Sequence, residues 1–413
     1  MKPRAGPCAG GAERLRRRCR ERIRAAGEEM MGRMRVLMLT AFPATGGPLP
    51  KLAPLVADGL SRCGCEVVIE GWSAHRAGHE SVVAKLLGRF ADLLRVQRRI
   101  REWRPDVIYV ATAHNWPALL RDLPLTLTVP RGRPPLVVHL HGSESERLGA
   151  RGHALFKACS ACLARRAAAV MLLSAEEREE WERFCPEGRY EVVVNPFVPA
   201  AVSAGNARGT AAACAAPPVL LTVARLIPQK GIFDLVEALA IVCRDRSSRL
   251  LIVGSGSARD ELARRVERLG LCDSVDLLGY VKGPALDSAF RSADVFVLAS
   301  YHEGFPLSVM EAMGHGLPIV TTRIRGCADH LVPDVNAVFV PPRDAQAIAA
   351  AIERLLDDDD LRMRMGQANA AKVADFAPEA VMPRYAEILR SVVGEGTNKG
   401  STAGAASRRL STS

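Results

Sequence analysis

The chain has 413 residues, is 48% hydrophobic and 24% charged, and carries a formal net charge of +11. That length suits two or three globular domains at roughly 100 to 200 residues each. No run approaches the roughly 18 apolar residues of a membrane span and the first residues lack the apolar stretch of a secretory signal, so a cytoplasmic protein is expected.

The charge is concentrated at the front. Residues 1–34 hold ten Lys or Arg against four Glu, which accounts for six of the eleven positive charges and leaves the rest of the chain only mildly basic. A nucleic-acid ligand is therefore not expected. Residues 1–33 read as a basic, disordered extension, or alternatively as an arm attracted to anionic lipid. Eleven cysteines, including Cys63, Cys65, Cys159 and Cys162, show no second pair at zinc spacing and an odd total, so free thiols are expected.

From residue 34 the chain alternates short β-branched or apolar runs with longer helical segments. The runs are "RVLMLT" (35–40), "EVVIEGW" (66–72), "VIYVAT" (107–112), "LVVHLHG" (136–142), "AAVMLLS" (168–174) and "YEVVVNPF" (190–197). This predicts a parallel α/β domain over 34–199. A small-residue linker over 200–217 follows, and the rhythm restarts with "VLLTVARL", "RLLIVGSG", "SVDLLGYV", "ADVFVLAS", "LPIVTTRI" and "AVFVPP", predicting a second α/β domain over 218–375. An amphipathic helix over 376–393 is expected to pack back on the first domain, and a Gly, Ser and Thr-rich tail over 394–413 is expected to be disordered.

Two doubly wound parallel sheets place ligands beyond the carboxyl ends of their strands, in a cleft between the domains. The chemistry-bearing residues follow strands accordingly. "ADVFVLAS" ends at Ser300 and the next helix can begin at Pro306, which needs no backbone donor there. Glu303 lies in the intervening loop and Glu311 inside the helix. The amides of Gly304, Phe305 and the first helical residues, Pro306 aside and Leu307 included, offer donors at the positive end of a helix, a natural seat for phosphate. A carboxylate beside a phosphate is better employed on sugar hydroxyls. From "VLLTVARLIPQKG", Arg225 and Lys230 project from the same sheet edge, and two cations with a helix N-terminus would neutralise a diphosphate.

The ordered set "ARLIPQKG", "LLIVGSGSARDELARRVERLGL", "VDLLGYV", "ADVFVLASYHEGFPLSVMEAMGHGLPIVTT" and "AVFVPPRD" resembles the retaining GT-B glycosyltransferases of family 4, or group 1. The resemblance implies a GT-B fold of two Rossmann-like domains and a hexosyltransferase-type enzyme taking a UDP-, GDP- or ADP-sugar to a glycan or lipid-linked acceptor. It implies that Glu311 holds the ribose hydroxyls, that Glu303 contacts the donor sugar, and that Arg225 and Lys230 grip the diphosphate and support catalysis. By the same resemblance Val281 falls at the donor site, Gly46 and Gly47 form a loop near donor and acceptor, and His141 before Gly142 is the cleft histidine. His139 is expected to turn to another face and reads as structural.

"GSGSAR" imitates a dinucleotide fingerprint but has Arg259 where glycine is required, so Gly254 and Gly256 read as a strand-to-helix turn beside the donor, not as a nicotinamide site. No Asp-x-Asp cluster lies near the site, and neither metal nor other cofactor is expected. The segment "AKLLGRFADLLRVQRRIREWRP" interleaves arginines with Leu, Phe and Trp and reads as a solvated amphipathic helix or a contact with the inner face of an anionic membrane. Two other functions fit parts of the pattern: a glycosidase pairing Glu303 with Glu311, and a catalytically silent nucleotide-sugar-binding partner.

Overall fold

The structure, a computed structural model, describes residues 33–41, 49–72, 82–130, 134–199 and 216–407. The basic front, Gly46, Gly47 and most of the expected linker lie outside the described residues. The first sheet contains β1 (Met34–Thr40), β2 (Cys65–Gly71), β3 (Val107–His114), β4 (Leu136–Ser143), β5 (Ala169–Leu172) and β6 (Tyr190–Val192) in the order β2-β1-β3-β4-β5-β6. The second contains β7 (Val219–Val223), β8 (Arg249–Val253), β9 (Val275–Gly279), β10 (Val295–Leu298), β11 (Ile319–Thr322) and β12 (Ala337–Val340) in the order β12-β11-β10-β7-β8-β9. Every pairing is parallel. Parallel strands covered on both faces are apolar throughout, and β5, β10 and β11 are buried at every position.

In the first domain the helices α1 (Leu49–Arg62), α2 (Val82–Trp103), α3 (Trp116–Thr128), α4 (Glu146–Gly149), α5 (Ala154–Arg166) and α6 (Ala175–Phe184) connect the strands. In the second they are α7 (Ile232–Val242), α8 (Arg259–Arg268), α9 (Pro284–Ser292), α10 (Leu307–Gly314), α11 (Arg325–His330), α12 (Ala345–Asp357) and α13 (Asp359–Lys372). Side-chain caps start several of them: Asn115 accepts from the Ala118 N–H at 3.0 Å, Ser174 from Glu177 at 3.1 Å and Asp358 from Leu361 at 2.8 Å.

Three boundaries differ from the sequence expectation. β6 stops at Val192 instead of continuing to Phe197, because β5, the strand it pairs with, itself ends at Leu172 opposite Val192. Pro306 is the extended cap of α10, and Leu307 is its first helical residue. The closing helix α14 covers Pro378–Ser407, running past Gly394 into the segment expected to be disordered. A formed helix adds residues cheaply, and no proline follows Pro383 to stop it.

α14 belongs by packing to the first domain. Val381, Met382, Tyr385, Ile388, Leu389 and Val392 join Val36, Met38, Val56, Leu60 and Tyr109 in one buried cluster. The opposite face of that sheet is filled by α2, α3, α5 and α6 around Trp72, Phe156 and Trp181. No helix among the described residues is long and apolar enough to cross a membrane.

Candidate active site

The order of the second sheet reverses between β7 and β10, which lie side by side while their following helices diverge. A crevice opens at such a switch point, and the loops after β7 and β10 form its lips. The β7 loop carries Arg225 and, at the end of a short 3-10 turn over Pro228–Lys230, Lys230. The β10 loop carries Glu303, Gly304 and Phe305 into α10.

These lips face the first domain. A cleft of about 180 Å³ is lined on one side by Val223, Ala224, Arg225, Lys230 and residues 303–308, and on the other by Leu52, His141, Leu173 and Asn195. Gly304 permits this approach, since a Cβ there would meet Leu173 Cδ1 at 2.7 Å. The amides of Gly304, Phe305, Leu307 and Ser308 make no backbone hydrogen bond among the described residues. Phe305 turns its ring away from the cleft onto His330 and Phe376, with centroids 4.8 and 5.1 Å away, leaving its backbone at the opening.

Lys230 Nζ is in direct contact with Glu303 Oε1, and Ser300 Oγ donates to the same oxygen at 3.2 Å. Both side chains are largely withdrawn from water, 12% and 18% exposed. The sequence reading assigned this cation and this carboxylate to different parts of a ligand; here they neutralise each other. Arg225, by contrast, is exposed at the mouth.

Across the cleft, both ring nitrogens of His141 and Oδ1 of Asn195 are buried without a hydrogen-bond partner. Burial pushes His141 down to about 4, with the neighbouring Asn195 amide pulling the other way. The ring is therefore neutral at neutral pH and offers one donor and one acceptor. Unpaired buried polar atoms are costly, and the His141 ring and the Asn195 amide, close enough to act on each other, leave hydrogen-bonding capacity at the cleft wall. His139 does not turn to another face as expected: two residues apart on β4, it and His141 share one face, with ring centroids 3.9 Å apart and planes tilted by 40°, while His139 Nδ1 meets the Tyr109 hydroxyl at 2.6 Å.

The remaining candidate residues lie outside this lining. Glu311 is half-buried on α10, beyond the lip. Gly254 and Gly256 face the β7 loop: a Cβ on either would strike the Ala224 or Leu226 carbonyl oxygen at 1.8 or 2.2 Å. They let the β8 loop lock onto the one bearing Arg225, through Leu226 N–H donating to Ser255 O at 2.9 Å. Val281 packs on the core behind them. Asn195, Leu52 and Leu173 were not singled out in the sequence; for Asn195 the only local signal is an amide side chain ending an apolar run before proline.

Residues 212–372 match the family Glycosyl transferases group 1, and residues 56–200 match Glycosyltransferase Family 4. The chain belongs to this glycosyltransferase family. An uncharacterized glycosyltransferase of Methanocaldococcus jannaschii is 36% identical over 140 residues, which span 34% of this chain and 36% of that protein. The glycogen synthase of Mycobacterium tuberculosis is 28% identical over 299 residues, 70% of this chain and 69% of its own length. Anabaena HepE, solved in complex with UDP, has the same fold, with a TM-score of 0.68 at 21% identity over 87% of this chain and 100% of HepE. The family's GT-B architecture of two facing Rossmann-like domains is the one described above.

Proposed function

We propose that this glycosyltransferase moves a sugar from a UDP-, GDP- or ADP-sugar to an acceptor hydroxyl with retention of anomeric configuration, in the assembly of a glycan, polysaccharide or glycolipid. The observation that carries the reading is the pairing of open amides at the start of α10 with Lys230 and Arg225 at one switch-point crevice. A diphosphate leaves with charge, and prepositioned donors stabilise that charge as it forms. Arg225 and the amides of residues 304–308 receive the phosphate oxygens. Lys230 exchanges part of its contact with Glu303 for them.

Glu303 then stands beside the sugar, where positive character develops at the anomeric carbon. His141 and Asn195 offer their unpaired atoms to hydroxyls from the opposite wall. Glu311, further along α10, takes the ribose hydroxyls, since a carboxylate accepts two hydrogen bonds from a vicinal diol. A departing phosphate oxygen accepts the acceptor's proton, so the reaction calls on no added cofactor or metal. HepE, which shares this fold, was crystallised with UDP, which supports a nucleotide ligand for this protein. A glycosidase using Glu303 and Glu311 is less well supported, because only Glu303 lines the cleft.

Thermal denaturation with UDP, GDP, ADP and their sugar conjugates tests the donor assignment. Binding to the folded state raises the midpoint by mass action, by about 2.7 kcal/mol of stability at a hundredfold excess over Kd. One base should stand out. No shift with any nucleotide would overturn the donor reading, and sugar release without a nucleotide would favour hydrolysis. The anomeric configuration of the product, read by NMR, tests retention.

A further inference from the structure

The outward side of α2 has no task in the reaction proposed above. Leu87, Phe90, Leu94, Arg98 and Arg101 recur along it at spacings of three and four, which places them on one stripe. The three apolar side chains are 66%, 61% and 54% exposed. The stripe is therefore apolar in its first half and cationic in its second.

α2 itself is firmly seated. Val96 is fully buried, and Leu93, Ile100 and Trp103 pack on the core. Arg95 and Arg99 reach back to Glu70 on β2 at 3.8 and 3.3 Å. These two arginines are spent on the fold, whereas Arg98 and Arg101 lie on the exposed side, Arg98 in a solvent-exposed ion pair with Glu102 at 2.6 Å that a lipid phosphate can replace. α3 covers the same sheet face and is tied to α2 by Gln97 Nε2 donating to Thr128 Oγ1 at 2.9 Å. It adds Leu120 and Leu127, each 55% exposed and seven residues apart. Single exposed leucines need no account, but several on adjoining helices with cations at their edge do.

We propose that this α2–α3 face docks on an anionic bilayer surface, with Leu87, Phe90 and Leu94 entering the headgroup boundary and Arg98 and Arg101 meeting lipid phosphates. An anionic bilayer matches both halves of the stripe, an apolar boundary for Leu87, Phe90 and Leu94 and phosphates for the arginines, whereas the same stripe on a second copy would offer those arginines no anion. The proposal stands apart from the donor reading, since no residue of the patch lines the cleft.

The test is co-sedimentation of the full chain with phosphatidylcholine vesicles, with and without phosphatidylglycerol. The protein should pellet with the anionic vesicles at low salt and be released at high salt, where the screening length falls to about 3 Å at 1 M. Phe90→Ser with Leu94→Ser, and Arg98→Glu with Arg101→Glu, should each weaken binding about tenfold or more while leaving the melting midpoint and nucleotide binding unchanged. Equal partition to both vesicle types would overturn the proposal. So would full binding by both double variants, which would move the contact elsewhere, such as to the basic first 34 residues. A lipid-independent change in oligomeric state caused by the variants would assign the patch to self-association instead.

Discussion

Lys230 and Glu303 are each the other's principal partner, so deleting one strands the other. Lys230→Ala should weaken UDP or GDP binding and also lower stability, by about 1 to 3 kcal/mol on each count, read by isothermal titration and calorimetry. His141→Ala should leave nucleotide affinity nearly intact and depress turnover; equal nucleotide losses in the two variants would mean that His141 faces the nucleotide. Glu303→Gln keeps the shape of the side chain and should lower kcat by about tenfold to a thousandfold. Glu311→Gln, acting on ground-state binding, should raise the donor KM more than it lowers kcat. Full turnover by Glu303→Gln would remove it from the chemistry. Arg225, Lys230 and Glu303 were legible in the sequence because a charged residue just after an apolar strand has one place to go, the sheet's carboxyl edge. Asn195 and Leu173 were not, because what matters about them is which loops of the other domain they meet. The Lys230–Glu303 contact was hidden for a similar reason: 73 residues separate the pair, and only the adjacency of β7 with β10 joins them.

Helices α6 and α11 carry the contact between the domains on one side of the cleft. Arg325 on α11 donates to Ser145 Oγ at 2.7 Å and to Glu180 at 3.0 and 3.1 Å, and Asp329 Oδ2 accepts from the Ala175 N–H at 2.7 Å. Beneath them lies Glu177, which is buried with Oε1 unpaired. Burial pushes its carboxyl up to about 7, while Ser143, Arg325 and the Leu173 backbone pull it down and Glu180 adds to the rise. The unfolded chain ionises this group near its ordinary value of about 4.3, so between there and about pH 7 the folded state holds more protons. Stability from this residue therefore falls as pH rises through that window. Glu177→Gln should remove the slope and leave a protein more stable at pH 8 by up to a few kcal/mol, seen as the difference between the two melting-temperature profiles. Taking the difference matters because buried His114, His139 and His141, all held below their ordinary values by burial, act in the opposite sense and cost stability as pH falls below about 6.5. The alternation of elements was readable throughout, since parallel strands buried on both faces are continuous apolar runs; the ends were less so, because the stop of β6 depends on where its partner β5 ends and the length of α14 on what it packs against.

At the scale of the whole molecule, the two sheets are wound from separate halves of the chain, but the buried core of the first is completed by a helix that follows the second. The first owes part of its core to α14, whose Val381, Met382, Tyr385 and Leu389 arrive almost two hundred residues after β6. Removing residues 378–413 should accordingly leave the β7–β12 sheet cooperative while the first domain loses its fold or aggregates, as read by limited proteolysis of the truncated chain. The same arrangement sets an order on biosynthesis. A nascent chain emerging from the ribosome presents β1 to β6 with the side of the sheet beneath Tyr109 and Met38 partly uncovered until the last helix is made, and closing a loop of that length costs entropy that no local contact offsets earlier. The second domain can fold first even though it is synthesised second, and the first waits for it. A chain stopped between Pro378 and Leu389 would then be felt less in the nucleotide crevice than in the half of the protein made first.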